Sequence, residues 1–103
     1  MQQNIITPEN DIKYQPGSIV SREILKREFG TITLFAFDAG QGLSEHTAPF
    51  DALVSILDGA AVITIAGTPH LVREGQIIIL PANKPHALRA DNKFKMMLVM
   101  IKS

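Results

Sequence analysis

GQGLSEHTAPFDALVSILDG (residues 40–59) and GQIIILPANKPHALRA (residues 75–90) are the two segments from which the fold can be predicted. Each begins with a Gly-Gln pair and places one histidine, His46 or His86, among prolines and short apolar runs. The Asp-Gly pair at 58–59 separates the run ALVSIL from the run AVITIA, and such a pair between apolar runs is a strong hairpin signal. These segments therefore predict short antiparallel strands joined by tight turns.

The rest of the chain repeats this pattern. IVSREILKREF (19–29) also has helical offsets, but it lacks a clear C-cap before Gly30, and the TITLFAFDA that follows alternates as a strand does. We therefore predict a strand pair that turns at Gly30. The later runs HLVRE, IIIL, HALRA and KFKMMLVMIK continue a series of strands spaced by about eight to twelve residues. Such a series predicts an all-β sandwich or barrel.

The two segments resemble the paired signature of the cupin family. The first family motif carries two histidines and a glutamate between glycines, and its places are taken here by Gly40, His46, Ala48, Ala52 and Gly59. The second motif ends in a histidine and an asparagine, and its places are taken by Gly75, Pro81, Asn83, His86 and Ala90. The resemblance implies a jelly-roll barrel, or double-stranded β-helix, in which three polar positions have become alanine.

Composition narrows the classes of function. A chain of 103 residues is sized for one domain, which we divide into an N-terminal arm (1–17) and a barrel domain (18–103). Ten basic and ten acidic side chains balance, so nothing favours binding to nucleic acid or to an anionic membrane. The absence of cysteine excludes disulfides and thiolate chemistry. With no signal-like start and no apolar run near the ~20 residues of a spanning helix, we expect a soluble cytoplasmic protein.

Strand alternation turns both histidines toward one predicted pocket. Its apolar walls are predicted to be Ala48, Ala52, Val54, Ile56, Leu88 and Ala90. An apolar pocket with His46 and His86 as its polar groups suits a small-molecule ligand, and the competing interpretation is a plain core with two satisfied histidines. A histidine pair can also act as general acid and base, so the sequence leaves open whether the protein is an enzyme.

A metal site is the alternative that the resemblance implies, because cupins place imidazoles around a divalent transition metal such as Zn, Mn, Fe or Ni. His46 and His86 would be two ligands, whereas catalytic zinc usually has three from the protein. Asp51 is one candidate third ligand, although alternation turns it to the other face unless a bulge intervenes. His70 is the other, because it shares strand parity with Val72. A metal-assisted isomerase, dioxygenase or decarboxylase acting on a small carbonyl or sugar-like compound is the alternative function.

The last strand is apolar on both faces. Met96, Leu98 and Met100 alternate with Met97 and Val99, so neither face is suited to water. Either the N-terminal arm or a second subunit must cover the outer face. Many cupins pair through such sheets, and the resemblance implies a homodimer.

Overall fold

A computed structural model describes residues 4–102 of the chain. This part of the chain consists of nine β-strands joined by turns and loops, which confirms the all-β prediction. The strands are β1 (Ile19–Arg27), β2 (Gly30–Phe37), β3 (Gly42–His46), β4 (Asp51–Asp58), β5 (Ala60–Ile65), β6 (Thr68–Arg73), β7 (Ile77–Leu80), β8 (His86–Arg89) and β9 (Phe94–Ile101). No helix of the length and hydropathy needed to span a membrane occurs in this range.

The strands form two antiparallel sheets. The five-stranded sheet has the order β1-β2-β9-β4-β7, and the four-stranded sheet has the order β3-β8-β5-β6. β1 and β2 pair along their length, as expected for the strand pair turning at Gly30. Most strands that neighbour each other in a sheet are distant in the chain. β9, for example, lies between β2 and β4.

The Asp-Gly pair at 58–59 turns the chain, but the predicted hairpin is wrong. β4 pairs with β7 and β9, so both of its edges are occupied, and β5 belongs to the other sheet. Gly59 makes this passage between sheets with a φ of 76°, and an added Cβ would lie 2.5 Å from the carbonyl oxygen of Lys93. Only glycine combines that backbone conformation with so close an approach.

The inner faces of the two sheets form the main core, and one end of the barrel is closed. Phe37 and Phe94, both fully buried, stack there with ring centroids 4.5 Å apart and an interplanar angle of 12°. Ile56 is also buried in this cluster. At the opposite end the inward-facing Leu98 and Met100 are only partly buried, so the barrel is open on that side.

The N-terminal arm packs on the outer face of the five-stranded sheet. Ile12 is only 3% exposed and packs in a second cluster with Leu34 of β2 and Met97 of β9. Tyr14 is anchored beside it, because its hydroxyl donates a hydrogen bond to Oδ2 of Asp58 over 2.5 Å. The arm therefore covers part of the outer face of β9. Residues 1–3 of the predicted arm and residue 103 of the predicted barrel domain lie outside the described residues.

Candidate functional site

His46 and His86 lie side by side at the open end of the barrel. His46 ends β3, His86 begins β8, and the two residues are register partners across this antiparallel pair. Their ring centroids are 4.4 Å apart, and the planes meet edge to face at 68°. His46 is exposed, whereas His86 is 8% exposed. A register shift between Leu43 and His46 precedes the pair.

Main-chain carbonyls determine which ring nitrogen carries the proton in each histidine. Nδ1 of His46 lies 3.0 Å from the carbonyl oxygen of Ser44, and Nδ1 of His86 lies 3.3 Å from that of Lys84. A carbonyl oxygen can only accept, so the neutral rings must donate from Nδ1. Nε2 of each ring then keeps its lone pair for a ligand or a proton.

Burial keeps His86 in its neutral form. Desolvation lowers the pKa of His86 below its usual value of 6.5, and the neighbouring His46 acts in the same direction. The Lys84 carbonyl opposes this shift but does not reverse it. At neutral pH the buried member of the pair therefore offers an uncharged imidazole whose free nitrogen is an acceptor.

A cavity of about 70 Å³ lies beside the histidine pair, between the two sheets. Apart from the two imidazoles, its lining side chains are apolar: Phe35, Leu43, Ala48, Phe50, Ala52, Val54, Leu80, Leu88, Met96, Leu98 and Met100. Val54 and Met96 are buried, and His46 is at the exposed end. The cavity thus runs from the open end of the barrel into the core.

The predicted pocket residues divide into two groups. Ala48, Ala52, Val54 and Leu88 line the cavity together with the histidines. Ile56 and Ala90 do not line it, because they are buried in the core away from the cavity. The lining contributed by β2 and β9 was not predicted. Following the inward face of β9 from Met96 to Met100 would have found part of it, since this alternation is visible in the sequence.

Both candidate third ligands lie outside the cavity lining. Asp51, the first residue of β4, is hydrogen-bonded to the adjacent loop between β7 and β8, because its Oδ1 accepts from the backbone N–H of Ala82 over 2.8 Å. His70 is exposed on β6, opposite Ile63 of β5. Between residues 4 and 102 there is no group of three or more His, Cys, Asp or Glu side chains that could hold a metal. The donor set is therefore two imidazoles, one ligand short of a catalytic zinc site.

The loop between β7 and β8 is fastened to the segment that carries His46. The backbone N–H of Asn83 donates to the carbonyl oxygen of Ala48 over 2.8 Å, close to the bond between Ala82 and Asp51. Asn83 has a φ of 65°, the left-handed conformation that glycine or asparagine adopts most easily. Two motifs far apart in the sequence are thus joined at the rim of the cavity.

Comparison with known proteins identifies the family. The sequence profile of the cupin domain matches residues 33–102, more than half of the chain. The chain belongs to the cupin family. The two facing antiparallel sheets are therefore the double-stranded β-helix of a small single-domain cupin, as the resemblance in the two motifs implied. No curated protein matches the sequence.

Several solved structures resemble this cupin closely. A conserved protein of unknown function from Streptococcus pyogenes is 38% identical, with a TM-score of 0.91 over 97% of this chain and 88% of that one. A cupin 2 conserved barrel domain protein from Leptotrichia buccalis is also 38% identical, with a TM-score of 0.88, and the match covers 91% of this chain but 46% of that chain. A cupin superfamily protein from Desulfitobacterium hafniense is 27% identical, with a TM-score of 0.90 over 98% and 94%. These likenesses agree with the fold and with the family that the sequence profile identifies.

Proposed function

We propose that this cupin binds a small molecule in the cavity beside His46 and His86, with the apolar walls providing affinity and the imidazoles providing orientation. The observation that carries the proposal is a cavity that opens at one end of the barrel and is apolar except for this pair. Ligand sites are commonly concave and mainly apolar, with a few polar groups that fix the ligand's orientation.

The histidines themselves favour a site over a plain core. A buried histidine that serves only packing is expected to satisfy both ring nitrogens. His86 is 8% exposed, and among the described residues its ring has one hydrogen bond, through Nδ1 to the carbonyl of Lys84 two residues earlier in the chain. Nε2 of His86 is thus left for a bound molecule, and the exposed ring of His46 lies beside it.

The double variant His46→Ala/His86→Ala tests the proposal. We expect it to fold, because His46 is exposed and the walls remain. It should bind 2-butanol, a probe with a short apolar body and one hydroxyl, at least about tenfold more weakly, as followed by NMR of ¹³C-labelled methionine methyl groups. Met96 and Met100 line the cavity and report binding, whereas Met97 packs on the outer face and serves as an internal control. The matched variant His70→Ala should bind like the parent. An unfolded double variant would instead favour the interpretation as a plain core.

The metal-assisted alternative receives less support from the donor set. With Asp51 engaged at the Ala82 N–H and His70 outside the lining, two imidazoles remain near the cavity. If the cupin is an enzyme, the chemistry open to these residues is proton transfer, in which a neutral imidazole first accepts a proton at Nε2 as general base and then returns it as general acid. Elemental analysis of untagged protein after dialysis against a chelator decides the point. One retained equivalent of Zn, Mn, Fe or Ni would replace this proposal with the metal-assisted one.

We also propose that the cupin is a homodimer joined through the outer face of its five-stranded sheet. A continuous row of apolar side chains crosses all five strands in register: Leu25, Ile32, Val99, Leu53 and Ile79. The arm covers a different part of the face, around Leu34, so this row is left to a partner. A two-fold axis lying between the facing sheets of the two subunits, over Val99 of the central strand β9, would lay the row of one subunit on that of the other.

Sedimentation velocity tests the dimer with a matched pair of charge substitutions. Ile79 is 50% exposed at one end of the row, and Leu71 on the other sheet is 52% exposed. Ile79→Lys should shift the protein toward monomer, because a lysine there would be buried without a counter-charge. Leu71→Lys should leave the mass unchanged. A parent that sediments as a monomer at micromolar concentration would contradict the proposal.

A further inference from the structure

The polar groups of the cavity define what kind of molecule fits there, an inference that rests on the binding function proposed above. We infer that the ligand is a small uncharged molecule, with a short apolar body in the cavity and a hydroxyl or N–H group that donates to Nε2 of His46 or His86. Three features of the site carry this inference: the absence of charge in the lining, the direction of its hydrogen bonding, and its size.

Apart from the two imidazoles, the lining has no side chain that could carry a charge. All lining side chains except the imidazoles are hydrocarbon or thioether. The basic residues on either side of His86, Lys84 and Arg89, are not among them. Arg89 is also committed elsewhere, since its Nε lies 2.7 Å from Oδ1 of Asp91. An ionised carboxylate or phosphate that entered would lose its hydration and could gain a counter-charge only by protonation of an imidazole, which the burial of His86 opposes.

The site offers acceptors and lacks donors. Both Nδ1 hydrogens are directed to main-chain carbonyls, so each ring presents Nε2 as an acceptor. The backbone N–H groups of the nearby loop are not free to add a donor. Those of Ala82, Asn83 and Lys84 already donate to Asp51, Ala48 and Pro81, respectively. A ketone, aldehyde or ether oxygen would therefore find no donor among the lining side chains while both rings are neutral, whereas a hydroxyl would find an acceptor.

The enclosed volume sets the size of the apolar body. A dry cavity of about 150 Å³ holds a benzene ring in an engineered protein, and the cavity here is about 70 Å³. About half that volume suits three or four carbon atoms. Met96 and Met100 can adjust to an irregular shape, since methionine is flexible and polarizable.

A matched series of four-carbon probes tests the inference by the methionine-methyl NMR described above. 2-Butanol, butanone and butyrate have similar shapes and differ in the group offered to the histidines. We expect 2-butanol to shift the Met96 and Met100 signals. Butanone and butyrate should bind at least about tenfold more weakly, because each lacks a donor hydrogen. Met97 should not respond to any of them.

A variant can abolish this preference. His86→Gln supplies an NH₂ donor as well as an acceptor, so butanone should gain on 2-butanol by about tenfold and the two should bind about equally. His46→Gln, at an exposed position, provides the same test if the buried substitution prevents folding. His70→Gln is the matched control and should keep the preference of the parent.

The outcomes separate the class of ligand from the existence of the site. Butanone or butyrate binding as tightly as 2-butanol, with shifts at Met96 and Met100, would overturn the inferred class and leave the proposed pocket intact. No shift of these two signals with any probe up to its solubility limit would overturn both. A preference for 2-butanol that His86→Gln or His46→Gln abolishes supports both.

Discussion

Ala52→Val should stabilise this cupin and weaken its binding of 2-butanol, because the added methyl groups enter the cavity. Ala52 is 7% exposed on β4, and its side chain lines the cavity beside the histidine pair. Valine suits a strand, since β-branched side chains pack well on a pleated surface. The substitution therefore tests whether there is free volume at this position.

Two estimates of the gain agree. Filling 70 Å³ at about 24 cal/mol per Å³ gives an upper limit of about 1.7 kcal/mol. Burying two methyl groups at about 0.8 kcal/mol each gives about 1.6 kcal/mol. The lost rotamer freedom and the open mouth reduce this, so we expect the free energy of unfolding to rise by about 1 kcal/mol. For a domain of this size that raises Tm by about 4–8 °C.

Urea unfolding and the 2-butanol titration measure the two effects on the same protein. The matched control is Ala90→Val, because Ala90 is 1% exposed in the core and does not line the cavity. Overfilling that position should cost about 1–3 kcal/mol. If Ala52→Val is also destabilised by more than about 1 kcal/mol, the space beside the histidines is not a preformed cavity, and the reasoning fails.

Three further results are expected. Ala48→His combined with Ala52→Glu should bind cobalt at least about a hundredfold more tightly than the parent in calorimetry, because both positions line the cavity beside the histidines; a folded variant without this gain would contradict the placement. Since the pKa of His86 is lowered in the folded state, the unfolded chain holds that proton more tightly. The contribution of neutral His86 to the free energy of unfolding should therefore be fully present above pH 6.5 and should be lost as the pH falls from 6.5 toward the lowered pKa. Urea unfolding at a series of pH values should show a smaller decline for His86→Gln than for the parent. Ile12→Ala should lower the free energy of unfolding by about 2–4 kcal/mol through loss of the arm's buried contact, whereas Ile5→Ala, at a position 69% exposed, should change it by less than about 0.5 kcal/mol.

Local patterns were sufficient to predict the strands and the rim of the site. The alternation of TITLFAFDA and of the last strand corresponds to β2 and β9, because side chains on successive residues point to opposite faces. Asn83 takes the position of a glycine in the second motif, and this substitution also has a local explanation. Asparagine tolerates the left-handed backbone conformation found there. The neighbouring positions of His46 and His86 followed from the two motifs as a pair.

Depth inside the barrel could not be predicted in this way. Ile56 and Ala90 share the inward face with residues that line the cavity, yet they lie in the core toward the closed end. Alternation specifies a face, whereas the position along the barrel depends on which distant strands pair. The same limit explains the Asp-Gly turn at 58–59, because no local signal shows that β4 already has a partner on each side.

The stacked rings of Phe37 and Phe94 fill the barrel at the end away from the histidines, and His46 is the one exposed residue among those that line the cavity. A cavity of this size holds one small ligand, so any second compound competes with the first for the same site. A tether on a bound molecule is therefore expected to leave past His46. An affinity resin for this cupin should therefore carry its linker on the carbon next to the hydroxyl, with the hydrocarbon tail left free to enter.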